Sequence, residues 1–401
     1  MDRADLETLL TREALGLLRE VEAMPDTSDP VALVSKLRSA GHDAKTVSVV
    51  LTQASLRRRA EAKFGPFASR MLFTEDGLQQ ATRLQVAAHH ANRFRGANVA
   101  RVVDLGCGIG ADSLAMTGIG LPVLAVDADE VTAAIATYNL GSFPDATVMH
   151  ARAEGIELGP RDGVWLDPAR RRKERGGTRR TWNPDDWSPS LDFAFSLAPK
   201  HPLGVKLGPG VAHDLIPADA EAQWVSVNGD VVEACVWAGG LQREGVRRSA
   251  LVIGRDGTHE ITANGPADDA EVGELGQWLH EPNGAVIRAR LIGDVARQLD
   301  ARMIAPEIAW MTTDEQVESP LVASFRVLEE LPLNQVVIKR ECAKRGIGTL
   351  EIKVRGVDID PAAFRKRLSL KGDASATLIV TRVGERRVAI LAERAETQLE
   401  R

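Results

Sequence analysis

Three short stretches carry residues able to do chemistry together. "VVDLGCGIGADS", Val102 to Ser113, ends an apolar run with Asp104 and follows it with Gly106, Gly108 and Gly110. Glycines at such a turn let the backbone pass close to a ligand and then face it with helix N-terminal amides. Gly106-x-Gly108-x-x-Ala111 nearly satisfies the phosphate-binding pattern of a dinucleotide site. Asp104 argues otherwise, because a carboxylate there would repel a pyrophosphate and can organise a ligand bearing a cationic amine. The next apolar run, "LPVLAVD", ends in Asp127, 23 residues after Asp104, where a carboxylate can hold two ribose hydroxyls. The third stretch, "DGVWLDPARRRKERGGTRRTW", Asp162 to Trp182, stops an apolar run at Asp167-Pro168. It then sets seven Arg or Lys among the eleven residues Arg170 to Arg180. Taken alone, that is an exposed turn followed by a solvated charged loop.

A ligand with an amino-acid end and a ribose end is S-adenosylmethionine. On these residues the chain resembles the class I methyltransferases. "DLGCGIG" is similar to that family's first motif and "VDAD" to its second. "LDPAR" is similar to its fourth, a loop after the fourth strand that presents the group to be methylated. The resemblance implies S-adenosylmethionine as cofactor and no metal. It implies cofactor contacts from Thr74, Asp104, Gly106, Cys107, Gly108, Gly110, Asp112, Asp127, Ala128 and Ala153, and a catalytic loop of Asp167, Pro168, Ala169 and Arg170. In amine methyltransferases this loop reads Asp/Asn-Pro-Pro-aromatic, the polar side chain accepting a hydrogen bond from the amine and the ring stacking on its base. Asp167 and Pro168 keep the pattern, whereas Ala169 and Arg170 depart from it. A guanidinium plane can lie on a base; Trp182 or Trp187 is either a second platform or simply packed. Upstream, "MLFTEDGLQQAT" resembles an element that covers the cofactor, and it also reads as a helix N-terminus capped by Thr74.

The order "MLFT…GLQQAT", "DLGCGIGADS", "WLDPARRR", "VKLGPG", "VVEACVW", "LHEPNGAVIRA" and a basic tail resembles a wider family. These are bacterial methyltransferases with a C-terminal THUMP-like domain, related to the trimethylguanosine-synthase-type RNA guanine-N2 methyltransferases. The resemblance implies RNA as partner and a base nitrogen of structured RNA, transfer or ribosomal, as the target. Two alternatives stay open. One is carbon methylation of uracil, which "DPAR" approaches but which needs a nucleophilic Cys. The other is a non-catalytic RNA-binding protein that keeps the fold. Glu233 and Glu281-Pro282-Asn283 match the wider pattern without a role derivable from the residues. His89, His90, His150 and His213 show no metal-ligand spacing, and His213 follows a strand end near the expected site.

These residues need elements to hold them. Residues 1–95 read as helices, with Leu6, Leu9, Leu10, Leu17, Leu18 and Val21 at helical spacing. From Ala100, short β-branched apolar runs alternate with room for helices, which predicts a Rossmann-like α/β fold with a mostly parallel sheet. Asn228-Gly229 between two strand-like runs predicts a hairpin, so the sheet ends antiparallel. "GRDGTHEITANGPADDAEVGELG" reads as loop or boundary. Beyond it, "NQVVIKR", "GTLEIKV", "ATLIVTRV" and "RVAILAER" read as strands and "DPAAFRKRL" as a helix, making a small α+β domain. The expected boundaries are 1–95 helical, 96–260 cofactor-binding, 261–322 connecting and 323–401 THUMP-like.

The formal charge of −6 is uneven: Arg326 to Arg394 holds 15 Lys/Arg against 9 Asp/Glu, a net of +6 that leaves −12 elsewhere. Such asymmetry suits a polyanionic partner or a basic solvated surface. With 4% aromatic residues, recognition by shape and phosphate is favoured over base stacking. No apolar run approaches the ~20 residues of a membrane span, the first residues are acidic and amphipathic, and Cys107, Cys235 and Cys342 are odd in number and far apart. A cytoplasmic protein without a membrane partner is expected.

Overall fold

Helices come first, as the spacing predicts. A computed structural model describes residues 1–24, 29–169, 171–174, 177–180 and 187–395, with backbone alone at Pro30 and within 171–180. Arg170 and Trp182 lie outside the described residues. Two compact units emerge, Met1–Lys206 with Trp237–Leu241, and Leu207–Val236 with Gln242–Arg401.

The first unit opens with α1 (Arg3–Leu9), α2 (Arg12–Ala23), α3 (Pro30–Ser39), α4 (Ala44–Phe64), α5 (Glu75–Gln80) and α6 (Leu84–Arg95). Asp2, Thr11, Asp29 and Asp43 each accept a backbone N–H at the start of one of the first four, satisfying amides a helix cannot pair internally. Then strands and helices alternate: β1 (Arg101–Leu105), α7 (Ala111–Gly118), β2 (Val123–Asp127), α8 (Glu130–Leu140), β3 (Ala146–His150) and β4 (Asp162–Leu166). A two-stranded hairpin follows, β5 (Arg171–Glu174) with β6 (Gly177–Arg180), and then α9 (Leu191–Ser196) and β7 (Leu203–Leu207).

Strands β3-β2-β1-β4-β7 lie in that order and all pair parallel. Leu105 is level with Val126 on β2 and with Leu166 on β4. The next residues, Gly106, Asp127 and Asp167, therefore emerge together at one sheet edge, where open α/β sheets bind ligands. Glycines inside the strands make room for rings: a Cβ at Gly204 would lie 2.7 Å from both the Trp165 and Trp237 rings. Those rings pack 5.6 Å apart, with His90 of α6 4.4 Å from Trp165.

The second unit contains β8 (Glu221–Val227), β9 (Asp230–Ala238) up to Val236, β10 (Arg248–Gly254) and β11 (Gly257–Ala263). Asn228 and Gly229, both at positive φ, turn β8 into β9 as the sequence predicts. β11 corrects the loop expected there: it pairs antiparallel with β10 from Arg248↔Ala263 to Gly254↔Gly257. Its side chains are mostly solvent-facing, with Ile261 buried, so it carries too little apolar pattern to read as a strand.

Next come β12 (Trp278–Pro282), α10 (Gly284–Ala289), α11 (Ile292–Gln298), β13 (Arg302–Met303), β14 (Met311–Thr313), β15 (Val322–Pro332) and α12 (Gln335–Lys344). The chain continues through β16 (Ile347–Val354), α13 (Pro361–Leu368), β17 (Ala374–Val383) and β18 (Arg386–Arg394). A seven-stranded sheet runs β13-β14-β12-β15-β18-β17-β16. One core gathers Ile338, Cys342, Phe364, Leu378 and Leu391, and another gathers Trp310, Phe325, Ile379 and Ile390. "NQVVIKR" is helix α12 and not the expected strand. The Asn334 side chain accepts from Val336 N and Val337 N, and Ile338 and Cys342, four apart, share one buried face while Val336 is 76% exposed. Capping and period-four burial override β-branching. Lys339 and Arg340 are thus helical.

Between α4 and α5, Met71, Leu72 and Phe73 are buried backbone outside any strand. Three side chains take the place of a neighbouring strand. Arg57 of α4 donates Nε to Met71 O (2.8 Å) while its other nitrogen binds Glu22. Asn139 of α8 pairs reciprocally with Leu72 (2.7 and 3.1 Å) and also donates to Ile109 O (2.9 Å). Gln53 of α4 pairs reciprocally with Phe73 (2.6 and 3.0 Å). Farther along α4, Lys63 donates to Leu78 O, Gln79 O and Ala81 O at the end of α5, and Arg59 pairs with Glu75 at its start.

Gln53→Ala strands the N–H and the C=O of Phe73 in a fully buried place. The expected loss is about 2–6 kcal/mol of folding stability, since each unsatisfied buried group costs roughly 1–3. Chemical denaturation of the wild type and the variant measures it.

Candidate active site

A cavity of about 630 Å³ opens at the sheet edge of the first unit. Its lining includes Thr74, Asp104, Gly106, Cys107, Gly108, Asp112, Asp127, Ala128, Ala153, Asp167 and Ala169, so the structure brings these sequence-derived residues together. Gly110 and Pro168 are not in the wall. Gly110, at φ +85°, caps α7 in a conformation L side chains rarely adopt, and Pro168 is buried. Arg170 falls outside the described residues, and His213 does not line the cavity.

The turn after β1 approaches its neighbours closely. Gly106 has φ +91°, and a Cβ there would stand 3.4 Å from Asp167 O. Asp127 accepts from Gly108 N (3.0 Å) through one oxygen and from Asp129 N (2.9 Å) through the other. Each oxygen keeps a second lone pair, so the carboxylate can still accept from a diol. Thr74 lines the cavity and caps α5, accepting from Gly77 N (2.9 Å). The capping reading of that residue holds.

Asp104 is buried and accepts from Ser113 Oγ (2.6 Å). Burial first, then the charges of Asp112, Asp167 and Asp127, push its carboxyl up to about 8 despite that hydrogen bond. Burial likewise raises Asp127 above the usual carboxylate range. Asp112 goes the other way: burial raises it, but the hydrogen bond and charge of His90, with Lys206 and Thr82, outweigh burial and hold it low. His90 Nδ1 (2.7 Å) and Thr82 Oγ1 (2.7 Å) occupy its two oxygens, so Asp112 ties α6 to α7 at the cavity wall. Crowded carboxylates make a cavity that favours a cationic ligand and opposes a pyrophosphate.

Asp167 meets Lys206 of β7, Nζ to Oδ2 at 2.5 Å. Ala169 pairs its backbone reciprocally with Ser188 (2.8 and 3.1 Å), pinning the end of the loop. Trp187 is buried, at 7% exposure. In the sequence Lys206 is marked only as one cation inside the apolar strand "LGVKL". Lys63, pushed down to about 8 by burial and then by Arg83 and Lys206, lies within the field of this same cation.

Comparison with known proteins gives the family. A model described as THUMP domain-like matches residues 322–394, and a domain of unknown function (DUF8688) matches residues 2–60. Two curated relatives from Mycobacterium tuberculosis strains, CDC 1551 / Oshkosh and ATCC 25618 / H37Rv, are each 34% identical over 339 residues. The match covers 82% of this chain and 91% of each relative, and both are described as uncharacterized S-adenosylmethionine-dependent methyltransferases. A solved structure from Porphyromonas gingivalis W83, named as a candidate methyltransferase, superposes with a TM-score of 0.71 at 17% identity. It covers 99% of this chain and 100% of that one, a likeness of fold. The chain belongs to the S-adenosylmethionine-dependent methyltransferases and carries a THUMP-like domain toward its C-terminal end.

Proposed function

We propose that the protein methylates a base nitrogen of structured RNA, a transfer or ribosomal RNA, in kinship with the RNA guanine-N2 methyltransferases. The observation that carries the reading is Asp167, a carboxylate at a strand end on the wall of the cavity that also holds Asp104 and Asp127. S-adenosylmethionine, when bound, supplies an electrophilic methyl group on a sulfonium. The lining fits it: Asp104 suits its ammonium, Asp127 its ribose diol, and the crowded carboxylates its positive charges. Asp167 accepts a hydrogen bond from the target amine and so aligns the nitrogen lone pair, and alignment supplies much of the catalysis of an in-line displacement. Lys206 holds Asp167 in place.

RNA as the partner is supported by the THUMP-like match and by where cations stand free of carboxylates. Lys339 on α12, and Arg365, Lys366 and Arg367 on α13, are exposed. Lys353 and Arg355 are a different case, because Glu281 engages both (2.8 and 3.2 Å). Carbon methylation of uracil finds less support. All three cysteines are buried, and burial first, then Asp104, pushes the Cys107 thiol well up. A thiolate nucleophile needs the opposite environment.

Asp104 gives this site a pH signature. Its raised carboxyl means the unfolded chain releases this proton near 4 and the ligand-free fold near 8, so the fold loses stability as pH rises across that window. Beside a bound ammonium it must ionise. Cofactor binding should therefore release up to one proton near neutral pH, and affinity should rise to about pH 8 and then level off. Calorimetry in buffers of different ionisation heats reads this directly, and Asp104→Asn should abolish it. Asp127→Ala should weaken cofactor binding by about 1.5–3 kcal/mol.

For the transfer itself, Asp167→Ala should leave cofactor affinity intact and lower turnover by on the order of 10²-fold. Loss of a specific modified nucleoside in RNA from cells lacking the gene, restored by wild type and not by Asp167→Ala, identifies the target. A fully active Asp167→Ala enzyme rules out this role.

A further inference from the structure

Several arginines of the second unit sit against carboxylates: Arg243 on Glu221 and Glu260, Arg302 on Asp314, Arg345 on Glu329, Arg386 on Glu330. Besides the exposed Arg365 and Arg367 of α13, one clustered group does not. Arg248 opens β10, while Arg288 and Arg290 close α10, which packs on both β8 and β10. His213 stands in a short turn ahead of β8, with its ring 5.0 Å from that of Trp224 and tilted 30°. Arg248 lies over the same Trp224 ring at 5.7 Å. None of the three guanidiniums makes a side-chain hydrogen bond or ion pair to a described residue, and Arg248 Nε and His213 Nδ1 are buried without a partner.

A half-buried guanidinium with an unmet donor is costly, and like charges beside it add to the cost. Burial first, then the charges of Arg290, Arg248 and Arg288, push His213 down to about 4 against a backbone hydrogen bond with Arg288 that favours the charged ring. Arg288 and Arg290 gain a little from the negative end of α10, but that helix end accounts for neither Arg248 nor His213. What would satisfy all four at once is an anion with several acceptor oxygens. Guanidinium forks match phosphate bidentately.

We propose that Arg248, Arg288 and Arg290, with the His213 ring, form a phosphate site, and that the backbone of the RNA substrate supplies the phosphate. The second clause rests on the RNA reading above; the first does not. The site holds one backbone phosphate at a fixed place and reads no base.

The test uses the full chain, with Arg288→Gln combined with Arg290→Asn. Both residues are exposed, and Asn tolerates the left-handed backbone at position 290 (φ +59°). Against a pool of unmodified structured RNA transcripts, the double variant should bind about 10-fold more weakly near 0.1 M salt. The log–log salt slope should become shallower by roughly 0.7 for each phosphate no longer engaged. Cofactor affinity should not change. In parallel, inorganic phosphate titrated into the wild type should raise the pKa of His213, followed by NMR, back toward the ordinary histidine range, and should not do so in the variant. If phosphate acts on His213 but RNA affinity is the same in both proteins, the RNA backbone is not its source. If the wild type binds no RNA, the RNA reading falls and the phosphate titration alone decides the site. A His213 insensitive to phosphate, with unchanged RNA affinity in the variant, overturns the proposal entirely.

Discussion

A stretch of backbone without a sheet to lie in governs the geometry of the cavity. Met71, Leu72 and Phe73 run buried between two helices, and side chains of Arg57, Asn139 and Gln53 pair their polar groups. An unpaired buried peptide group costs as much as a lost hydrogen bond or more, so this strip has one stable placement. Asn139 extends the constraint to Ile109 O inside the glycine-rich turn. Gly77 then lets α5 press onto that turn, since a Cβ there would lie 2.5 Å from the Ile109 side chain. The N-terminal helices, whose family model carries no function, thus hold one wall of the cavity through α4.

Electrostatics act on a cavity that packing has already shaped. Four carboxylates near one another cannot all ionise cheaply in a dry place. The structure divides them: Asp112 is hydrogen-bonded by His90 and Thr82, Asp127 accepts from the Gly108 and Asp129 amides, Asp167 is paired with Lys206, and Asp104 bears the cost in its raised carboxyl. That cost is relieved when a positive ligand arrives, so the site is at once destabilising to the empty fold and selective for cationic cofactor.

Legibility followed locality. The turn after β1, Asp127 and "LDPAR" could be read because strand, turn and helix are contiguous, and parallel pairing brings consecutive strand ends to one edge. Gln53, Arg57 and Asn139 could not, because nothing near them in sequence marks one polar residue of a helix as the partner of a backbone group 14 to 67 residues away. "NQVVIKR" misled for a related reason. Its Val-Val-Ile run has strand chemistry, and only the buried period of Ile338 and Cys342, with the Asn334 cap, makes it helical. The polar strand β11 exists because β10 offers an edge to pair with, which its own residues do not announce.

Charge shows the same limit from another side. A count of +6 over the C-terminal domain says nothing about which cations are already spoken for. Glu281 engages Lys353 and Arg355 from outside the counted stretch, and Arg326 pairs with Glu393 within it. Arg248, Arg288 and Arg290, by contrast, lie outside that stretch and have no carboxylate on them among the described residues. Long-range attraction of a polyanion depends on the net field, but contact at close range depends on which donors lack partners. By that criterion the surface most ready for a phosphate includes residues that belong to no basic run in the sequence.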